Sequence, residues 1–192
     1  QEKEMIMIKR FITSRILNNL HKGKVILIMG ARQSGKTTLL KGLFPDQQDV
    51  LYLNCDDLED RNLLAAETIS SMKQFAGKSK YILIDEAQRV QNIGLKLKLL
   101  VDNFPEVQII ATGSSSFELS NQIREPLTGR KYEFYLYPFA YQELADNFGV
   151  YRERKELANR LIYGSYPDIV NHPSEAATLL NHLVGSYLYK DI

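Results

Sequence analysis

Five short apolar runs recur along the chain, each closed by polar or turn-forming residues, and they alternate with segments of helical spacing. The runs cover residues 24–29, 49–54, 81–84, 107–111 and 132–136. Runs of this length and composition read as strands. Between them, 38–44 reads as a helix stopped near Pro45, and 61–66 and 69–75 as two short helices ending at Gly77. A further helix ends near Pro105, and 117–123 reads as another, behind a serine cluster able to cap it. Beyond the fifth run the pattern is helical, over 139–148 and 152–163, then broken at Gly164-Ser165-Tyr166-Pro167. A last helix runs from about Ser174 toward Tyr189. Upstream, Ile8, Phe11, Ile12, Ile16 and Leu20 fall at helical spacing, so 5–20 reads as a helix packed over the start of the core. Strands alternating with helices argue for an open, largely parallel α/β sheet. The expected organisation is an N-terminal helix over 1–22, a core over 23–137 and a helical segment over 138–192.

The first strand runs into Gly30-Ala31-Arg32-Gln33-Ser34-Gly35-Lys36-Thr37, which meets the pattern G-x-x-x-x-G-K-[ST] at every fixed position. A chance match somewhere in a chain of this length has a probability on the order of 1% at ordinary residue frequencies. The strand before and helix after lower it further. Gly30 and Gly35 let the backbone wrap closely around phosphate oxygens. Successive N–H groups then form an anion nest at a helix N-terminus. Lys36 is expected to reach the outer phosphates and the Thr37 hydroxyl to ligate Mg²⁺. This stretch, with Thr38 behind it, is the expected nucleotide site.

The third apolar run ends in Asp85-Glu86. Downstream of a phosphate loop such a pair resembles the Walker B element of P-loop ATPases, whose first acid orients Mg²⁺ and whose second polarises the attacking water. A second acidic stretch, Asp56-Asp57-Leu58-Glu59-Asp60, reads as a solvated helix start, with a metal site as the alternative. Composition narrows the rest. With 192 residues, 44% hydrophobic and 24% charged, the chain can build one substantial core. A net charge of +1 gives no reason to expect a globally basic nucleic-acid binder. The single cysteine, Cys55, excludes an intrachain disulfide and fits a reducing, cytoplasmic setting. No secretory pattern and no run of membrane-spanning length are present, so no membrane association is expected.

Six stretches in order, GARQSGKTTLL, YILIDEAQRV, IIATGSSS, LTGRKYEFYLYPFAYQEL, YGSYPDIV and YLYKDI, resemble the AAA-type ATP-binding proteins of bacteria and archaea that carry a C-terminal domain of unknown function. The resemblance implies the P-loop three-layer α/β sandwich with strand order 2-3-4-1-5. It implies ATP on Gly30–Thr37, Asp85 in the Mg²⁺ shell and Glu86 as the base for the hydrolytic water. Ser114, or Ser115, would be the polar sensor at the fourth strand's tip. Arg130 would contact a γ-phosphate, in cis or from a neighbouring subunit, with a structural salt bridge as the other reading. The chain reads as a fragment stopping where the family's C-terminal domain begins. A homo-oligomer, and a protein or DNA partner engaged through that domain, fit the same resemblance. The expected activity is ATP hydrolysis driving a conformational change. A nucleotide-gated binding module and a phosphotransferase are the alternatives. No N-K-x-D run supports guanine specificity.

Overall fold

The computed structural model describes residues 8–188, apart from 47, 66–67, 115–122 and 124. The chain divides into two compact units, one of residues 12–32 and 36–136, the other of the described residues among 1–11, 33–35 and 137–192.

The first unit is built on a five-stranded sheet. Its strands are β1 (Val25–Gly30), β2 (Val50–Asn54), β3 (Tyr81–Asp85), β4 (Gln108–Ser114) and β5 (Lys131–Tyr135), and its helices α1 (Ile12–Leu17), α2 (Lys36–Gly42), α3 (Leu58–Leu64), α4 (Ile69–Ala76) and α5 (Ile93–Asn103). The order is β2-β3-β4-β1-β5 and every pairing is parallel, as the resemblance implied. Register places Ile26 beside Ile110 and Tyr132, with Ile110 beside Leu83.

Side chains alternate across the pleat, which explains why the strands read as unbroken apolar runs: both faces are covered. Val25, Leu27 and Met29 join Ile82, Ile84, Ile109 and Ala111 on one face, against Leu64, Met72, Ile93, Leu97 and Leu100 of α3, α4 and α5. Ile26, Ile28, Leu83, Ile110 and Phe134 face the other way, against Ile16 of α1 and Leu39 and Leu40 of α2. All six residues of β1 are buried, whereas β5, at the edge, buries only Phe134. Burying one such Ile or Leu stabilises by roughly 1.5–3 kcal/mol. The chain leaves β1 onto the face of Leu39 and Leu40, and leaves β4 onto the opposite face, where Ile123 and Leu127 pack. Neighbouring strands whose connections diverge in this way open a crevice at their carboxyl ends, and ligands bind there in open α/β sheets.

The second unit is helical: α6 (Tyr141–Phe148), α7 (Val150–Tyr163), α8 (Pro167–Asn171) and α9 (Ala176–Leu188). Ile8, Leu144 and Val170 form one small core with Phe139 and Phe148. Ile169, Ala176 and Leu183 form another with Tyr163 and Tyr166. Glu153, fully buried in α7, takes both oxygens to Arg160 at 3.1 Å.

Two expectations change. The N-terminal helix begins at Ile12, not at residue 5: residues 8–10 are not helical, and Ile8 belongs to the helical unit's core rather than to the sheet's. Helical spacing there is shared between two different cores. Pro167, read as part of a break, instead opens α8, because its fixed φ and missing N–H suit the first helical position. The helix expected over 117–123 and the candidate Ser115 lie, apart from Ile123, outside the described residues.

Candidate functional site

The phosphate loop joins the buried tip of β1 to the first turn of α2. Gly30 stands beside Ser114 in the register of β1 and β4. Two loop residues take left-handed backbone, Gln33 at φ 59° and Gly35 at φ 95°. Gly35 is suited to this conformation, which side chains resist. Lys36 is only 4% exposed, and its ammonium donates to the carbonyls of Gly30 at 3.1 Å and Ala31 at 2.9 Å. Burial lowers its pKa, Glu86 and Asp85 oppose that by their charge, and Arg32 adds to it. Thr37 and Thr38 are exposed on the first turn of α2, and Arg32 and Gln33 on the loop. Ser34 is fully buried, and among the described residues its Oγ is one of two buried side-chain polar atoms without a hydrogen-bond partner. An unsatisfied buried hydroxyl costs about 1–3 kcal/mol, and a phosphate oxygen in the loop is one partner that would satisfy Ser34 Oγ.

Asp85, 2% exposed, closes β3. The Thr112 hydroxyl donates to its Oδ1, and the Tyr52 hydroxyl to Oδ2 at 3.0 Å. Burial first, then the Asp85 charge and bond, raise the Tyr52 pKa, so that phenol stays a donor. Glu86 is half-buried with left-handed backbone, φ 53°. For a residue with a Cβ this strain costs on the order of 1–3 kcal/mol, and such strain gathers at functional sites. Its N–H is held by Asp85 Oδ1 and Thr112 Oγ1, both at 3.2 Å. Gln88 donates from Nε2 to Glu86 Oε2, and its Oε1 accepts the Ser114 N–H at 3.4 Å. One glutamine thus ties the acid after β3 to the tip of β4.

The loop residues, Asp85, Glu86 and Ser114 therefore all stand at the edge where the parallel strands end. Arg130 does not. Its carbonyl accepts the Val25 N–H, so it sits where β1 starts, and its side chain pairs with Asp102 at 2.7 Å. The length of β1 separates it from Gly30, about 16 Å at the usual strand rise, more than an arginine side chain spans. The cis contact with a γ-phosphate is thereby corrected, for a reason of strand direction. The acidic stretch after β2 acts at a helix start: Asp57 caps α3 by accepting the Glu59 N–H at 2.7 Å, and Asp60 accepts the Asn54 N–H. Among the described residues no three of His, Cys, Asp and Glu gather as a self-contained metal site. The donors fit a triphosphate and its divalent cation better than a metal alone: a buried ammonium and an exposed Thr37 where β1 gives way to α2, and one buried carboxylate at the same sheet edge. Sequence reading missed Thr112, Tyr52 and Gln88. Thr112 was visible as the first polar residue of β4 beyond Ala111, which pairs with Ile84, and so as the neighbour of Asp85.

Comparison with known proteins agrees with this geometry. Residues 22–145 match a family model described as an AAA domain. An uncharacterized protein of Mycobacterium tuberculosis is 32% identical over 127 residues, 66% of this chain and 28% of its own length. One from Methanocaldococcus jannaschii is 27% identical over 208 residues, 99% of this chain and 46% of its own. The chain thus spans less than half the length of these relatives. Among solved structures, the Walker-type ATPase PABY2304 of Pyrococcus abyssi superposes with a TM-score of 0.65 at 16% identity, over 96% of this chain and 75% of that one, a likeness of fold. No helix among the described residues is long and apolar enough to cross a membrane. The chain belongs to the AAA domain family of P-loop ATPases.

Proposed function

We propose that the chain binds ATP with Mg²⁺ and hydrolyses it to ADP and phosphate, and that turnover drives a conformational change in an attached domain or partner. The observation that carries this reading is the Asp85–Glu86 step. Asp85 is fixed from both sides by hydroxyl donors, while the next residue is turned into left-handed backbone with its carboxylate bonded to an amide rather than to a cation. That leaves Glu86 able to accept a proton.

In this reading Gly30–Lys36 surround the phosphates with backbone N–H groups, and Lys36 exchanges its two carbonyl partners for phosphate oxygens. The Thr37 hydroxyl and Asp85 would hold Mg²⁺, which supplies charge neutralisation on the phosphate oxygens. Glu86 takes a proton from the attacking water as its oxygen bonds to the γ-phosphorus and the bond to the bridging oxygen breaks. Gln88, linked to both Glu86 and the Ser114 N–H, is placed to sense that change at the tip of β4. Partner recognition, by protein or DNA, would lie in the part of the relatives that this chain does not span.

Glu86→Gln tests the assignment. It keeps the shape and the amide contact but removes the base. ATP binding by calorimetry should persist while turnover falls by about a hundredfold or more. Turnover equal to the parent's would sink the assignment of the base, and loss of ATP binding would show Glu86 to be a ligand-binding residue instead.

A further inference from the structure

Arg10 has no place in the reading above, and helical spacing over 5–20 gives it no role. It is 8% exposed, lies in the helical unit, and spends its whole guanidinium on that unit. Nε faces Glu143 at 3.2 Å, Nη1 donates to the Ser34 carbonyl at 3.2 Å, and Nη2 donates to the Tyr137 carbonyl. The guanidinium carbon stacks 4.5 Å from the centre of the Phe139 ring. Glu143 is itself pinned, since it accepts the Phe11 N–H at 2.8 Å and the Ala140 N–H at 3.0 Å, the latter at the start of α6. A Cβ on Gly35 would sit 3.8 Å from Arg10 Nη1 and 3.6 Å from Pro167 Cγ. The tip of the phosphate loop is therefore held by Arg10 and abuts the first residue of α8.

The peptide geometry gives that grip a consequence. In a trans peptide the C=O and the following N–H point in opposite directions. By binding the Ser34 carbonyl, Arg10 turns the Gly35 N–H away from itself. Gly35 carries the left-handed φ that shapes the nest. We propose that Arg10 is a positioning residue for the phosphate loop: it fixes the Ser34–Gly35 peptide so that the Gly35 N–H is presented to a nucleotide's phosphates. Its forked donors are what the task requires, because three acceptors in different directions must be met at once. A lysine retains the charge but not the fork. Desolvation lowers the Arg10 pKa and Glu143 opposes this by charge and hydrogen bond, the pattern of a buried cation with one dedicated counter-ion.

This inference rests on the proposed nucleotide site, but not on hydrolysis. The test is therefore binding of Mg²⁺–ADP to the 192-residue chain by calorimetry, beside thermal melting with and without the nucleotide, for the parent and Arg10→Lys. The expected result is a nucleotide-free melting temperature within a few degrees of the parent's, with affinity lowered at least tenfold and the nucleotide-induced rise in melting temperature correspondingly reduced. Parent-like affinity in Arg10→Lys overturns the proposal and leaves Arg10 a structural charge. Should Arg10→Lys fold poorly, Glu143→Gln replaces it: the guanidinium loses its counter-ion, while the amide oxygen keeps one of the two N–H bonds that Oε1 and Oε2 accept from Phe11 and Ala140. Reduced affinity there supports the proposal and unchanged affinity overturns it. A parent that binds ADP but does not turn over ATP removes only the hydrolytic reading, whereas a parent that binds no nucleotide removes both.

Discussion

The two edges of one parallel sheet differ in the charge they bury. Where the strands start, Arg130 pairs with Asp102 and Lys80 with Asp49, each partner between about two-fifths and two-thirds exposed. Where the strands end, Lys36 and Asp85 are nearly inaccessible, and neither has an opposite charge as its hydrogen-bond partner: carbonyls hold the ammonium, hydroxyls the carboxylate. Exposed, paired charge adds little to stability and asks nothing further of its surroundings. Desolvated charge held by neutral groups is costly to keep, and it retains most of its field for a ligand. The contrast sets Lys36 and Asp85 apart from the exposed pairs, one of which, Arg89–Asp56, also lies where the strands end, without reference to any motif.

The largest effect should come from removing the desolvated cation. Lys36→Ala is expected to lower ATP affinity by about a hundredfold or more, roughly 3 kcal/mol. The melting temperature should stay within a few degrees, because burial already disfavours this ammonium. Calorimetry and thermal melting on one preparation check both. A collapse of stability with binding retained would erase the distinction between the edges.

Next comes the hydroxyl shared by the acidic pair. Thr112→Val keeps the shape but takes the donor from Asp85 Oδ1 and an acceptor from the Glu86 N–H. Both stay buried or half-buried, so unfolding free energy should fall by about 1–3 kcal/mol. Turnover should drop more than nucleotide affinity, since the backbone of Glu86 loses a tether. Denaturant titration and steady-state kinetics measure the two. Equal losses in affinity and turnover would assign Thr112 to binding instead.

What was legible in the sequence follows the same division. The loop and the Asp85–Glu86 pair are contiguous, so a pattern along the chain contains them whole. Thr112 and Tyr52 complete the site only through strand register, Gln88 ties Glu86 to the distant Ser114 N–H, and Arg10 acts only by reaching Ser34 and Glu143, the latter 133 residues away. Linear spacing cannot express such neighbours. Arg130 shows the converse for the cis reading. Its motif reads as functional, yet β5 begins one residue later, and the direction of a parallel strand assigns it to the edge remote from the loop. Strand order itself came from family resemblance, because periodicity is silent on which strands are adjacent.

Alkaline stability offers a smaller, more local test of the strand-end edge. Cys55 follows β2 and donates its N–H to the Asp85 carbonyl. Its thiol is fully buried, and burial, then the charges of Asp60 and Asp85, push its pKa from 9.0 up to about 12. Between those values the unfolded chain has released a proton that the folded chain retains, so stability falls as pH rises. The loss should be about 1 kcal/mol between pH 9 and pH 10. Tyr52, whose pKa is raised, steepens the fall above pH 10.0. Cys55→Ala should flatten the slope between pH 9 and pH 10 whatever it does to absolute stability, and an unchanged slope would locate the alkaline sensitivity elsewhere.

Arg130→Ala should have the least effect of all on a single chain. An exposed pair of this kind is worth about 0.2–1 kcal/mol, and the strand-start edge is out of reach of the chain's own phosphate loop. Turnover per subunit at high dilution should therefore match the parent's. The informative variable is protein concentration. If the parent's specific activity is flat with concentration and Arg130→Ala follows it, the arginine is the structural partner of Asp102 and the two edges differ as described. If the parent's activity rises with concentration and the variant's does not, Arg130 completes a neighbouring subunit's site. Exposed charge at the strand-start edge would then be functional in an assembly, because a second chain supplies the desolvation that a single chain lacks.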